Sequence, residues 1–93
     1  MAVILVTGSS TGIGQETALH LARNGHQVFA GLRSPDTANE LKARIAAEAL
    51  AVEIVQLDIT DDESVTSAVS AIMSSTGRID VLVNNAGIGG GRA

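Results

Sequence analysis

Residues 2–14 read AVILVTGSSTGIG and join an apolar, β-branched run to a glycine-rich turn. The run Ala2–Val6, bounded by Gly8, predicts a strand that is buried on both faces. From Gly12 to about Asn24 the apolar residues recur at the spacing of one helix face. A strand, a glycine turn and a helix in direct succession begin a βαβ unit, so this stretch indicates an α/β fold.

The rest of the chain continues the alternation of strand and helix. Strand-like runs cover Gln27–Leu32, Val52–Leu57 and Ile79–Val83, and helical patterns begin at Ser34 and Thr60. Strands joined by helices imply parallel pairing through right-handed crossovers. We therefore predict a β-α-β-α-β-α-β order that forms a doubly wound parallel sheet. The pattern indicates one domain over residues 1–93, in which 88–93 form a loose tail.

The second helix carries finer signals. Ser34 followed by Pro35 is typical of a capped helix start with proline in the first turn. Glu40 with Arg44, and Arg44 with Glu48, have the spacing of ion pairs within one helix. We expect both pairs on its solvent-facing side.

The third helix has its own start and apolar stripe. Thr60 and Glu63 have the spacing of a capping box, and Gly77 is a typical helix end. The residues expected to face the core are Val65, Val69, Ile72 and Met73.

Composition excludes several kinds of function. Of the 93 residues, 10 are acidic and 6 are Lys or Arg, and the resulting formal charge of −4 argues against a nucleic-acid partner. The chain has no cysteine, which excludes a disulfide scaffold, a cysteine zinc site and a thiol nucleophile. No apolar run approaches the ~20 residues of a membrane span, so we expect no membrane partner and a cytoplasmic location. Neither His20 nor His26 has a partner at metal-ligand or triad spacing, and both are interpreted as surface residues.

The glycines of the first turn suit a phosphate ligand. Gly8 permits a tight turn after the strand, Gly12 leaves room for a phosphate near the backbone, and Gly14 lets the helix pack closely on the sheet. The N-terminus of the helix adds unpaired N–H groups and a partial positive charge. The spacing Gly-x3-Gly-x-Gly matches neither GxGxxG nor a P-loop, so a purely structural glycine cluster stays open at this point.

Three motifs together resemble the short-chain dehydrogenase/reductase family. They are the TGSSTGIG turn at 7–14, Asp58 just after the third strand, and Asn84-Asn85-Ala86-Gly87 after the fourth. The resemblance covers essentially the whole chain but only the first part of that family's fold. It implies half of a Rossmann-type sheet with the strand order 3-2-1-4.

The same resemblance implies the residues of a cofactor site. The turn would hold the pyrophosphate of a nicotinamide dinucleotide through Gly8, Ser9, Ser10, Thr11, Gly12, Ile13 and Gly14. Asp58 would accept a hydrogen bond from the adenine amino group, with Ile59 beside it. Asn84 would tie the central strands together, and near the cofactor ribose would lie Asn85, Ala86 and Gly87. A capped turn at Asp58 and a simple turn at Asn84-Asn85 are the alternative interpretations.

Arg33 distinguishes the two nicotinamide cofactors. NAD-binding sheets of this type usually carry an acid at the end of the second strand, where this chain has Leu32 and then Arg33. A guanidinium can bind a 2′-phosphate and stack on adenine, so we favour NADP(H) over NAD(H). The alternative is an ordinary solvated loop charge. Many NADP-binding members also carry a basic residue in the glycine turn, where this chain has Thr11.

The family's reaction is hydride transfer between a nicotinamide and a carbonyl or alcohol, in which a tyrosine and a nearby lysine act on the substrate oxygen. These 93 residues contain no tyrosine, and the one lysine, Lys42, lies on the second predicted helix. We therefore expect no turnover from this chain alone.

The strand Ile79–Val83 is expected at an edge of the sheet. An apolar, uncharged edge strand is a template for pairing with another chain. We expect a homodimer or larger assembly, most simply with antiparallel pairing of this strand about a two-fold axis. A non-catalytic, self-associating α/β module is the alternative to a cofactor-binding domain.

Overall fold

The fold alternates strands and helices along the whole described chain. The structure is a computed structural model and describes residues 1–8 and 12–84. Its elements are β1 (Val3–Thr7), α1 (Gly12–Arg23), β2 (Gln27–Leu32), a 3₁₀ turn (Pro35–Thr37), α2 (Asn39–Glu48), β3 (Val52–Gln56), α3 (Asp62–Thr76) and β4 (Val81–Asn84).

The four strands form one parallel sheet in the order β3-β2-β1-β4, which confirms the expected topology. One row of paired residues crosses the sheet through Val52, Val28, Ile4 and Val81. β4 is an edge strand, as expected. It begins at Val81 rather than Ile79, and the backbone N–H of Asp80 just before it donates to the Val3 carbonyl at 2.8 Å.

Helices cover both faces of the sheet, so the doubly wound arrangement is confirmed. Alternate strand residues point to opposite faces, and the buried side chains divide accordingly. Ile4, Val6 and Val28 pack with Ala18 and Ala22 of α1. α2 joins α1 on that face through a cluster that contains Leu19, Ala30, Leu32, Ala38 and Leu41. The opposite face packs against α3 through Val3, Leu5, Phe29, Leu57, Ala68 and Ile72.

The start of the second helix differs from its prediction. Ser34-Pro35 leads into the 3₁₀ turn, and the α-helix itself starts only at Asn39. The Ser34 side chain does not cap that turn. The fixed φ of Pro35 suits either kind of first turn, so the sequence signal marks the start without specifying the helix type.

The ion pairs of α2 connect two helices, and the prediction of pairs within α2 is wrong. Arg44 bonds Glu16 of α1 at 2.6 Å, and Glu48 accepts from Arg23 of α1, also at 2.6 Å. α1 and α2 lie side by side on one face of the sheet, so opposite charges on neighbouring helices come within reach. These contacts fasten α2 to α1 at the protein surface.

The start and orientation of α3 also require correction. Its N-cap is Asp61, whose carboxylate accepts the Glu63 N–H at 3.0 Å, so Thr60 is not the cap. Gly77 ends the helix as predicted, with φ +79°.

The helix faces the sheet through Ser64, Ala68 and Ile72, at i,i+4 spacing. Of the expected core stripe, Ile72 is buried as predicted and Val65 is half-buried, but Val69 and Met73 are 36% and 43% exposed. The helix is therefore rotated by about one position from the predicted apolar stripe, and small residues allow its closest approach to the sheet.

His26 contributes to the structure, in contrast to the surface position expected. It is half-buried, and its Nδ1 accepts the backbone N–H of Ala2 at 3.0 Å. His20 is exposed, as expected. Within the described residues, no helix combines the length and apolar character that crossing a bilayer requires.

Candidate functional site

The carboxyl ends of the four parallel strands meet at one edge of the sheet. This edge carries the ends of β1 at Thr7, β2 at Leu32, β3 at Gln56 and β4 at Asn84. The chain leaves β1 toward α1 on one face, whereas β4 is reached from α3 on the other face. The sheet therefore reverses its winding between β1 and β4, the position at which open α/β sheets bind ligands.

Two glycines with left-handed backbones border the predicted pyrophosphate turn. Gly8 has φ +67° and Gly12 has φ +59°. The Gly8 N–H donates to the Gly31 carbonyl at 3.1 Å, which holds the start of the turn against β2. α1 begins at Gly12, and Gly14 is buried in its first turn. Ser9, Ser10 and Thr11 lie outside the described residues.

The start of α1 presents an exposed apolar side chain and a shallow concavity. Ile13 is 74% exposed. A concavity of about 430 Å³ is lined by Gly12, Ile13, Gln15, Glu16, Thr17 and Glu40. Glu40 accepts from Gln15 at 3.0 Å, so a carboxylate lies in this concavity. That charge opposes a phosphate beside Gln15 and Glu40, so an anion is better placed at the backbone N–H groups of the first residues of α1.

Arg33 and Asp58 follow neighbouring strands and lie near each other. Leu32 pairs with Gln56, and the Leu57 N–H donates to the Leu32 carbonyl at 2.7 Å. The Arg33 side chain is exposed at this edge. The hydrogen bonds from Thr60 lower the pKa of the Asp58 carboxyl most, and the nearby positive charge of Arg33 lowers it further.

The Asp58 carboxylate takes part in a local turn. Its Oδ1 accepts the Thr60 hydroxyl at 2.6 Å and the Thr60 N–H at 3.0 Å. This is the turn that the sequence leaves open as an alternative to an adenine contact. The other oxygen, Oδ2, takes part in neither bond, and Ile59 beside it is 43% exposed. The adenine role of this pair stays a prediction.

Asn84 connects the edge strand β4 to β1. Its Oδ1 accepts the hydroxyl of buried Thr7 at 2.8 Å, which joins the ends of β4 and β1. This contact agrees with the tie between central strands that the family resemblance implies. Asn85, Ala86 and Gly87 lie outside the described residues.

Sequence reasoning assigned no individual role to three polar residues at this edge. Thr7 is 4% exposed, Ser64 is 9% exposed, and Gln56 bonds both Ser64 and the Arg33 carbonyl. A polar residue at a core-facing helix position, as at Ser64, is the one signal that points to such a contact. Among residues 1–8 and 12–84, no group of three or more His, Asp or Glu could hold a metal ion.

Comparison with known proteins identifies a family. The model described as "short chain dehydrogenase" matches residues 2–93. A Streptomyces virginiae protein assigned as the ketoacyl reductase of a monensin polyketide synthase is 46% identical over 89 residues, which are 96% of this chain and 34% of that protein. Gluconate 5-dehydrogenase from Gluconobacter oxydans is 40% identical over 90% of this chain and 33% of its own length.

Solved structures of similar proteins superpose on most of this chain. Menthone neomenthol reductase from Mentha piperita superposes with a TM-score of 0.85 at 35% identity, covering 92% of this chain and 31% of that one. A variant of an actinorhodin polyketide ketoreductase, crystallised with NADPH, gives 0.82 at 30% identity, covering 90% and 32%. The chain thus spans about a third of the length of the proteins it matches.

Proposed function

The chain belongs to the short chain dehydrogenase family, and from that premise we propose that it forms the NADP(H)-binding part of an oxidoreductase. In the complete protein, the reaction would be hydride transfer between the nicotinamide and a carbonyl or alcohol. The observation that carries the proposal is the meeting of a glycine turn, a helix N-terminus and a guanidinium at one sheet edge. Each of these features attracts phosphate.

The site residues divide the cofactor between them. The turn over Gly8–Gly14 and the N-terminus of α1 would take the pyrophosphate. Asp58 and Ile59 would border the adenine, and Asn85 to Gly87 the ribose. The cofactor would supply or accept the hydride, and these residues would orient the cofactor.

Arg33 is the residue that favours NADP(H). Among the described residues Arg23, Arg44 and Arg78 form ion pairs, whereas Arg33 forms none. Its exposed guanidinium can therefore bind a 2′-phosphate without breaking an existing pair. The side chain of Leu32, the last residue of β2, has no acceptor for a ribose 2′-hydroxyl. The NADPH in the actinorhodin ketoreductase structure supports the same choice.

We do not expect turnover by a polypeptide of these 93 residues, because it contains no tyrosine to exchange a proton with the substrate oxygen. Lys42, its one lysine, is exposed on α2 rather than at the carboxyl edge of the sheet. Cofactor binding is therefore the activity to measure.

Titration calorimetry with NADPH and NADH tests the proposal. We expect both to bind and NADPH to bind more tightly. The chain has no Trp or Tyr, so NADPH emission can be followed against a dark background as a second readout. Equal affinities would overturn the preference for NADP(H). If neither cofactor binds, the binding function itself is overturned.

A second candidate function is self-association without catalysis. It is favoured by the position of β4 at the sheet edge and by the exposure of Val81 and Leu82, 43% and 59%. The strand carries no charge, so another strand could add to it. This candidate predicts assembly in the absence of cofactor.

A further inference from the structure

We infer that Gln56 and Ser64 position Arg33 to bind the 2′-phosphate of NADP(H). This inference rests on the proposed function and deepens it, because it concerns what sets cofactor preference. Neither residue would touch the cofactor in this role. They are positioning residues, which act through the main chain of Arg33.

A continuous chain of hydrogen bonds joins the two loops of the adenine-side site. The Asp58 N–H donates to Ser64 Oγ at 2.9 Å. The Ser64 hydroxyl donates to Gln56 Oε1 at 3.0 Å. The Gln56 Nε2 then donates to the Arg33 carbonyl at 3.2 Å. Three side-chain bonds thus connect the residue after β2 to the residues after β3.

The direction of this chain follows from the groups at its ends. A backbone N–H can only donate, so Ser64 Oγ accepts from Asp58 and its single proton remains for Gln56. A backbone carbonyl can only accept, so the Gln56 amide must turn its nitrogen toward Arg33. Both requirements select the same orientation of the Gln56 amide. Ser64 is 9% exposed, whereas Gln56 and its bond to the Arg33 carbonyl are exposed to water.

The tether lies where the Arg33 backbone leaves the sheet. The last backbone bond between β2 and the β3 segment joins Leu57 to Leu32, one residue earlier. Beyond it the chain runs through Ser34 into the 3₁₀ turn that starts at Pro35. The Gln56 amide therefore extends the strand pairing by one residue and fixes the point from which the guanidinium projects. The guanidinium can then meet a phosphate at lower cost in conformational entropy.

The test is Gln56→Leu, which keeps the size of the side chain and removes both hydrogen bonds of the side-chain amide. We expect the Kd for NADPH to rise by about three- to tenfold, the usual consequence of losing a hydrogen bond or two, with the Kd for NADH unchanged. Ser64→Ala removes the hydroxyl in the middle of the series of hydrogen bonds and should shift the ratio of the two Kd values in the same direction. It also provides a second route if Gln56→Leu folds poorly.

Gln27→Leu is the matched control. Gln27 is also a strand glutamine whose Nε2 donates to a main-chain carbonyl of the β3 side, that of Ala51 at 3.4 Å, but it lies at the opposite end of the sheet. General destabilisation of the fold would weaken the binding of both NADPH and NADH in either glutamine variant. A positioning role changes the ratio of the NADH and NADPH Kd values in Gln56→Leu and leaves it unchanged in Gln27→Leu.

The outcomes separate the two proposals. If the unmodified chain prefers NADPH and neither Gln56→Leu nor Ser64→Ala changes that preference, the positioning role is wrong and the binding function stands. If the unmodified chain binds neither cofactor, the proposed function fails and this inference fails with it. A preference that falls in both variants and persists in Gln27→Leu supports both.

Discussion

At the scale of single residues, Arg33 carries the proposed preference for NADP(H). Arg33→Ala should weaken NADPH binding by about tenfold or more, because charge-assisted bonds to phosphate contribute about 1.5–3 kcal/mol. NADH binding should be unchanged. Comparing adenosine 2′,5′-bisphosphate with 5′-AMP by calorimetry isolates this half of the cofactor.

Lys42→Ala is the control for Arg33→Ala, because it removes the same charge from an exposed position on α2. If Lys42→Ala weakens NADPH binding as much as Arg33→Ala does, the effect is one of net charge and Arg33 has no specific role. Equal losses of NADPH and NADH in Arg33→Ala would also contradict the assignment.

The candidate site was predictable to the extent that it depends on local sequence. Gly8 and Arg33 follow strands that their apolar runs predict, so their place at the carboxyl edge could be deduced. The bonds of Gln56 and Ser64 could not, because they join residues whose contact depends on how α3 sits on the sheet. Asp58 illustrates the limit: its turn with Thr60 is local and was anticipated, while its distance from Arg33 is a property of the fold.

At the scale of elements, periodicity identified the helices but not the phase of α3. The predicted apolar stripe is Val65, Val69, Ile72 and Met73, whereas the stripe buried in the structure is Ser64, Ala68 and Ile72. Hydrophobicity favours the first, since its side chains are larger. The structure selects the second, because small residues such as Ser64 and Ala68 permit close packing on β1 and β3. The orientation of α3 therefore depends on how closely the helix packs on the sheet, and the pattern of a single helix does not contain that information.

Asp80 connects β1 to the segment before β4 and should make their association pH-dependent. Its Oδ2 accepts the Val3 N–H at 2.7 Å and the Arg78 Nε–H at 2.9 Å. The bond from Val3 and the charge of Arg78 lower the pKa of the Asp80 carboxyl. A carboxyl with a lowered pKa in the folded state stabilises the fold above its ordinary pKa. That contribution is lost as the pH falls from the ordinary value through the folded one.

Urea unfolding followed by far-ultraviolet circular dichroism measures this effect. Asp80→Asn should be less stable than the unmodified chain near neutral pH, and the difference should shrink below about pH 4. Glu53→Gln, at an exposed carboxylate on β3, should retain the pH dependence of the unmodified chain. A gap between Asp80→Asn and the unmodified chain that stays constant down to pH values well below the ordinary range would contradict the role of the ionised carboxylate.

At the scale of the whole molecule, the strand order and the two-sided covering of the sheet followed from the alternation of elements and the family resemblance. Parallel pairing and right-handed crossovers leave few arrangements for such a chain. The contacts between the helices could not be predicted from the sequence. Arg23 and Arg44 pair across α1 and α2, and those pairs exist only because the crossovers place both helices on one face.

The exposed edge at β4 should make the molecule self-associate. Sedimentation velocity at micromolar concentration should show a dimer, and Leu82→Lys should shift it to monomer. Leu82 is 59% exposed in a strand of four residues, so two copies paired about a two-fold axis would bring their lysines close together. Met73→Lys, on the exposed side of α3, is the control and should leave the dimer intact. A monomeric unmodified chain would refute self-association, and dissociation by Met73→Lys alone would place the contact on α3 instead of β4.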